Sequence, residues 1–282
     1  MMLQEILARR DLTDPDQGPH AVQELAETTQ AALADHWGCP RQVHRGTPIV
    51  GASDHYQRLG YAPEPAAPGS RGARLLTKRL LLRIRTAAAV PPVLRALSTN
   101  PPNDLLLVCP GITHRQDSES ALHSSSPHLL DLWRLTSARL SPADLGEMVQ
   151  TAVRAALPGA AYRLIPGNTP YMTHCMRIDA WHGEKWIEIG KCGGVARPIL
   201  ELNGMDPDRT SGLAMVFGLD RLMMVRKGIP DIRLLRAEQP CIARQMLDLK
   251  PFVAEAGAGA TDCPMASEHT GGKRATWDAG AC

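Results

Sequence analysis

The chain has 282 residues, 44% of them hydrophobic, with 31 basic and 29 acidic side chains and a formal net charge of +2. That is enough for one large domain or two modest ones with a full core, and the near-balance of charge gives no strong nucleic-acid signature while leaving RNA open. Seven cysteines (39, 109, 175, 192, 241, 263 and 282) form no CxxC pair, which argues for reduced thiols in a cytosol and against a zinc site.

The first residues carry Glu5, Arg9, Arg10 and Asp11 and lack the apolar core of a signal peptide. No run approaches the roughly 20 apolar residues needed to cross a bilayer. The expectation is a cytoplasmic protein with no membrane partner. Residues 1–19 read as an N-terminal segment, a short helix (Leu3, Ile6, Leu7) followed by a polar link. Residues 20–37 place Val22, Leu25, Ala26, Thr29, Leu33 and Trp37 on one helical face, and Gly38-Cys39-Pro40 stops that helix. Residues 42–50 are strand-like, interrupted by Gly46 and Pro48; a Pro there suits an edge or an interface. Residues 62–72 form a loop rich in Pro and Gly. Residues 71–85 hold six basic side chains among Leu75, Leu76, Leu80, Leu81, Leu82 and Ile84. They read either as a strand with one wet basic face or as a basic wall beside a phosphate site. A short helix opened by Pro spans 91–97.

Residues 105–109 have the bulk of a buried strand, bent by Pro110-Gly111, and 128–135 alternate as a second strand. The pair reads as an antiparallel hairpin with Leu129, Asp131 and Trp133 on one face. Its long loop carries Arg115, Asp117, Glu119 and His123, too much chemistry for a simple connector. Ser141-Pro142 opens a well-marked helix with Leu145, Met148, Val149, Ala152, Val153 and Ala156 as its buried stripe. Strands follow at 162–165, 175–181 and 186–191, with Trp186 and Glu188 on the face opposite Ile187 and Ile189. Gly190, Gly193 and Gly194 suggest a bend. From 253 to 282 apolar periodicity stops, and the segment reads as a disordered tail.

The stretch 212–233, GLAMVFGLDRLMMVRKGIPDIR, organises the rest. An apolar strand runs to Gly218, and a helix with apolar residues at 219, 222 and 223 follows. Arg221 therefore sits in the first turn of a helix leaving a buried strand. An Arg there serves either a structural ion pair or phosphate oxygens, which its fixed fork of donors matches. The order of elements is an α+β plan, an antiparallel sheet with helices packed on it. Arg115 and Arg221 both leave strands that can be neighbours, so a polyanion fits between them. Glu188 offers a carboxylate for Mg²⁺, which takes one or two carboxylates plus substrate phosphates. This equipment suits formation of an acyl-adenylate from ATP. No Ser-His-Asp or Cys-His arrangement stands out, and no GxGxxG or GxxxxGK[ST] occupies a strand-to-helix junction.

The segment 186–233, with its GLDRL…GIPDIR run, resembles the catalytic core of the phenylalanyl-tRNA synthetase α-chain, a class II aminoacyl-tRNA synthetase. Arg221 stands at the Arg of motif 3. Residues 111–133, GITHRQDSESALHSSSPHLLDLW, resemble motif 2, with Arg115 at its Arg. The helix 20–37 and Gly46-Thr47-Pro48 resemble motif 1 more weakly. The likeness covers residues 20–252 and implies a class II synthetase-like antiparallel sheet flanked by helices. It implies that Arg115 contacts the ATP α-phosphate and the substrate carboxylate, that His123 lies near the outer phosphates, that Arg221 binds the γ-phosphate beside Gly218, and that Glu188 binds Mg²⁺. A homodimer through the motif 1-like region is also implied.

The acid side departs from the family. Arg85-Thr86-Ala87 stands where the family has His-Thr-Ser, Leu129 and Asp131 stand where it has Gln and Glu, and Val216 stands where it has Gly. Met172-Thr173-His174 replaces a Thr-Glu-Pro loop. No coiled-coil arm of the kind the family uses on tRNA is visible in this sequence. Arg85 disfavours a substrate ammonium at its position, so specificity is rewritten on this side. Two functions are carried forward. One is an ATP-dependent ligase that passes an acyl group to tRNA or another acceptor. The other is a non-catalytic relative that binds a ligand or partner and regulates.

Overall fold

The computed structural model describes residues 3–62, 73–116 and 118–254. Most of the 62–72 loop, Asp117, and nearly all of the expected tail with its Cys263, His269 and Cys282 lie outside the described residues. The described residues up to Phe252 form one compact unit.

Helix α1 (Leu3–Leu7) is followed by a short turn and by α2 (Ala21–Trp37). A capping box fixes the start of α2: the His20 ring accepts from the Val22 amide while the Gln23 side chain returns to the His20 amide. Gly38 ends it in the left-handed conformation. The strand expected over 42–50 is two strands. β1 (Arg41–Val43) lies at the edge of the main sheet, and β2 (Ile49–Gly51) pairs with β3 (Leu80–Leu82) in a separate ribbon. Short α3 (Ala52–His55) lies between the two strands of this ribbon in sequence, and α4 (Val90–Leu97) follows it.

The hairpin is β4 (Asp104–Ile112) and β5 (His128–Thr136), nine residues each in unbroken antiparallel register. Pro110-Gly111 does not bend β4. Gly111 takes a φ of +155°, and a Cβ there would lie 2.1 Å from Arg83 Nη2. Arg83 is the physical reason. It is only 2% exposed and donates to the carbonyls of Ile112 and Gly46. The 71–85 run is therefore neither one long strand nor uniformly wet. Only Leu80–Leu82 are a strand, Leu75 and Leu80 are exposed, and one of the basic side chains is buried as a strut.

Helix α5 (Pro142–Ala156) carries the Ser141–Asp144 capping box. β6 (Tyr162–Pro166), β7 (Met172–His182), β8 (Lys185–Val195), the short α6 (Arg197–Leu202), β9 (Ser211–Gly218), α7 (Leu219–Lys227) and α8 (Pro240–Gln245) complete the chain. The strands join in the order β1-β4-β5-β9-β8-β7-β6, antiparallel except for β1 with β4. One face of the sheet packs against α2, α5 and α7 through Leu25, Leu33, Met148, Val153, Leu132, Met215 and Phe217. The other face meets α4 and α6 through Val93, Leu94, Ile199, Trp133 and Ala214. The glycines expected to bend the chain lie inside β8. A Cβ on Gly190 would come within 2.4 Å of the Val216 carbonyl, and one on Gly193 within 2.7 Å of the Thr173 carbonyl. They serve close strand packing.

The polar link of residues 8–19 is packed onto this body. Leu12 is buried in the main core, and the Ile112 amide donates to Asp11.

Candidate active site

Strand pairing sets three rows of side chains across the sheet face that α4 and α6 only partly cover. At the end where β4 leaves and β5 enters, Leu129 pairs with Gly218, and Glu188 of β8 lies beyond them. One row inward, Asp131 pairs with Val216 and Val216 with Lys191. The innermost row is Trp133, Ala214 and Gly193. Above the outer rows lies an open cleft of about 370 Å³.

Its outer end holds both arginines. Arg115 follows β4, and its Nε donates to the Ile84 carbonyl. Arg221 follows β9; its Nε donates to the Leu122 carbonyl and its Nη1 to the Glu188 carbonyl. Each guanidinium is thus fixed in direction by backbone acceptors, which leaves charge for a ligand at little further entropic cost. Beside them, Ser120 and His123 close a tight turn through Oγ and Nδ1, 3.1 Å apart, and His123 lines the cleft. Asp220 also lines the cleft and is held by His128. Its carboxylate accepts from the His128 ring at 2.7 Å and from the His128 amide. The other His128 ring nitrogen faces the Leu12 amide and the Arg236 guanidinium, two donors. That fixes the tautomer with its proton on Nδ1.

The Glu188 carboxylate makes no hydrogen bond or ion pair among the described residues, where no cluster of three or more His, Cys, Asp or Glu exists to hold a metal. A single carboxylate with no hydrogen bond, lining the same cleft as two arginines, fits Mg²⁺, which takes one or two protein carboxylates and completes its shell with substrate phosphates and water. It does not fit an all-protein metal cage.

The inner end is different. Thr86 donates to Asp131 Oδ2 at 2.5 Å, while Asp131 Oδ1 has no partner among the described residues. Burial pushes the Asp131 carboxyl up to about 6, against the pull of the Thr86 hydroxyl. The Arg85 guanidinium lies 3.6 Å from the Tyr61 ring centroid, with one nitrogen bonded to the His55 carbonyl. Trp133 stacks on Tyr171, centroids 5.2 Å apart, and closes the deep end.

All nine residues singled out from the sequence, namely Arg85, Arg115, His123, Leu129, Asp131, Glu188, Val216, Gly218 and Arg221, line this one cleft. Sequence reading missed Tyr61, Tyr171 and Lys191. The tyrosines sit in loops, where spacing carries no signal. Strict alternation puts Lys191 on the face opposite Glu188. A bulge prevents this: Asp179 pairs with Glu188 and Ile178 with Gly190, so Ile189 is an extra residue and Lys191 returns to the cleft face.

Comparison with known proteins agrees with this fold. The family described as tRNA synthetases class II core domain (F) matches residues 21–246. The phenylalanine–tRNA ligase alpha subunit of Prochlorococcus marinus (strain MIT 9313) is 31% identical over 239 residues, 83% of this chain and 68% of that one. Its counterpart in strain NATL2A is 29% identical over 212 residues, 75% of this chain and 62% of that one, so the chain spans somewhat under two thirds of that relative. The crystal structure of pyrrolysyl-tRNA synthetase from Desulfitobacterium hafniense shares the fold, with a TM-score of 0.58 at 19% identity over 76% of this chain and 72% of that one. With a match that runs from the first residue of α2 to the end of the described helices, the chain belongs to the class II core domain (F) family of tRNA synthetases.

Proposed function

We propose that this chain is an aminoacyl-tRNA synthetase-like ligase that activates a carboxylic acid with ATP. A substrate carboxylate oxygen attacks the α-phosphorus and pyrophosphate leaves, giving an acyl-adenylate. The acceptor, tRNA or another nucleophile, then takes the acyl group and releases AMP. In this reading Arg115 binds the α-phosphate and the substrate carboxylate, His123 faces the outer phosphates, and Arg221 holds the γ-phosphate over Gly218. Glu188 would hold Mg²⁺, which when bound supplies positive charge beside the leaving pyrophosphate. Arg85, Leu129, Asp131 and Val216 line the acid's end of the cleft.

The observation that carries the reading is the pair of arginines at one end of the sheet, each aimed by backbone carbonyls. Electrostatic groups preorganised in this way act on developing charge without reorganising. A second copy would pair through α2 and the edge strand β1, whose three residues are all exposed. Sedimentation would report that dimer.

The test is exchange of labelled pyrophosphate into ATP by the purified protein with a panel of amino and other carboxylic acids. Arg221→Ala should lower exchange by about 10²- to 10³-fold with the fold retained by circular dichroism. Unchanged exchange would sink the mechanism. Absence of ATP binding by the wild-type protein would make the chain a non-catalytic, ligand-binding relative.

A further inference from the structure

The acid end of the cleft has the wrong charge for a simple amino acid with an apolar side chain. Two cations face it, Arg85 and Lys191. The carboxylate on the same wall, Asp131, is fully buried and already takes the Thr86 hydroxyl. Lys191 lies two strands from Asp131 across the Asp131–Val216–Lys191 row, roughly 10 Å by strand spacing. It makes no hydrogen bond or ion pair among the described residues. The Arg85 guanidinium lies against the Tyr61 ring and within electrostatic reach of the buried Asp131, and its one hydrogen bond among the described residues runs from Nη1 to the His55 carbonyl. The rest of its planar fork is preorganised for a carboxylate, the group it matches with two parallel bonds.

Shape agrees with charge. Val216 stands in the floor of the cleft, and behind it the stacked Trp133 and Tyr171 fill the depth a ring would need.

Building on the adenylation reading above, we infer that the acid activated is a short dicarboxylic acid. One carboxylate lies by Arg115 and is adenylated. The second is bound by the Arg85 guanidinium, with the Lys191 ammonium balancing its charge from across the row. A half-buried, aromatic-backed Arg whose fork stays unmatched disfavours acids that lack the second carboxylate.

The experiment compares succinate, glutarate, aspartate and glutamate with butyrate, alanine and phenylalanine. Two readouts are used on the wild-type protein: pyrophosphate exchange, and equilibrium binding of each acid in the presence of a non-hydrolysable ATP analogue. Binding or exchange with diacids at least about tenfold better than with their monoacid partners is expected. In Arg85→Gln, kcat/KM or affinity for the diacid should fall about 100-fold or more, while that for butyrate or alanine changes by less than about tenfold. A purely structural Arg85 would lower both alike, and that result overturns the inference. Binding of phenylalanine or butyrate without diacids overturns it too and leaves the adenylation reading standing. Failure of the ATP analogue to bind removes both.

Discussion

At the scale of single residues, Asp131 is the group under most tension. It is completely buried, one of its oxygens has no hydrogen-bond partner among the described residues, and the other takes the Thr86 hydroxyl, the strongest of the groups that favour its charge. Thr86→Val keeps the shape of that neighbour and removes its donor. A buried acceptor left unpaired costs about 1–3 kcal/mol, and a charged one lies at the upper end. The cost should depend on pH. Without the hydroxyl the folded-state carboxyl moves further above the value of about 6 that burial already imposes. A carboxyl with a raised folded pKa is destabilising where it is ionised, so the gap between wild type and Thr86→Val should be wider at pH 8 than at pH 5. Urea denaturation at the two values measures it. Equal gaps would mean that the hydroxyl does not support an ionised carboxylate.

At the scale of elements, what could be read from the sequence is what periodicity and caps encode. Helices α2 and α5 announce themselves through Leu25, Leu33, Met148 and Val153 on single faces and through their start signals. The strand-to-helix step at Gly218 was equally plain, so Arg115 and Arg221 could be paired before any coordinates. The acid end was harder to read. Its Lys191 depends on a bulge, its tyrosines come from loops, and the strut Arg83 looked like one more basic residue in a wet run. The N-terminal link was the clearest divergence, because Asp and Pro content says nothing about a clamp made by one leucine. Leu12 is in the main core, its amide donates to the His128 ring, and His128 in turn holds Asp220 next to Arg221. Leu12→Ala should therefore cost about 2–5 kcal/mol, the range for a truncated core leucine, as read from urea denaturation. A loss below about 1 kcal/mol would mean that the link merely rests on the surface.

At the scale of the whole molecule, buried histidines govern the response to acid. Burial lowers His20 and His114 to about 4 and His55 to about 3, from an ordinary 6.5. Neither ring nitrogen of His55 has a partner among the described residues, nor does Nδ1 of His114, so the proton gains nothing there to offset desolvation. For each, the folded state binds a proton later than the unfolded chain does. Their contribution is complete above about pH 6.5 and is lost as pH falls toward 4 and 3. Asp131 works in the opposite direction. Its stabilising share is complete below the ordinary 3.8 and is lost as pH rises through about 6. Three histidines with larger displacements outweigh one carboxyl, so the melting temperature should climb from pH 4 to pH 6.5 and then level off. Thermal denaturation followed by circular dichroism across that window tests this. His55→Phe keeps an aromatic ring in the edge contact with Tyr56 and cannot take a proton. It should flatten the low-pH limb, and an unaltered slope would assign the acid sensitivity to groups other than the buried imidazoles.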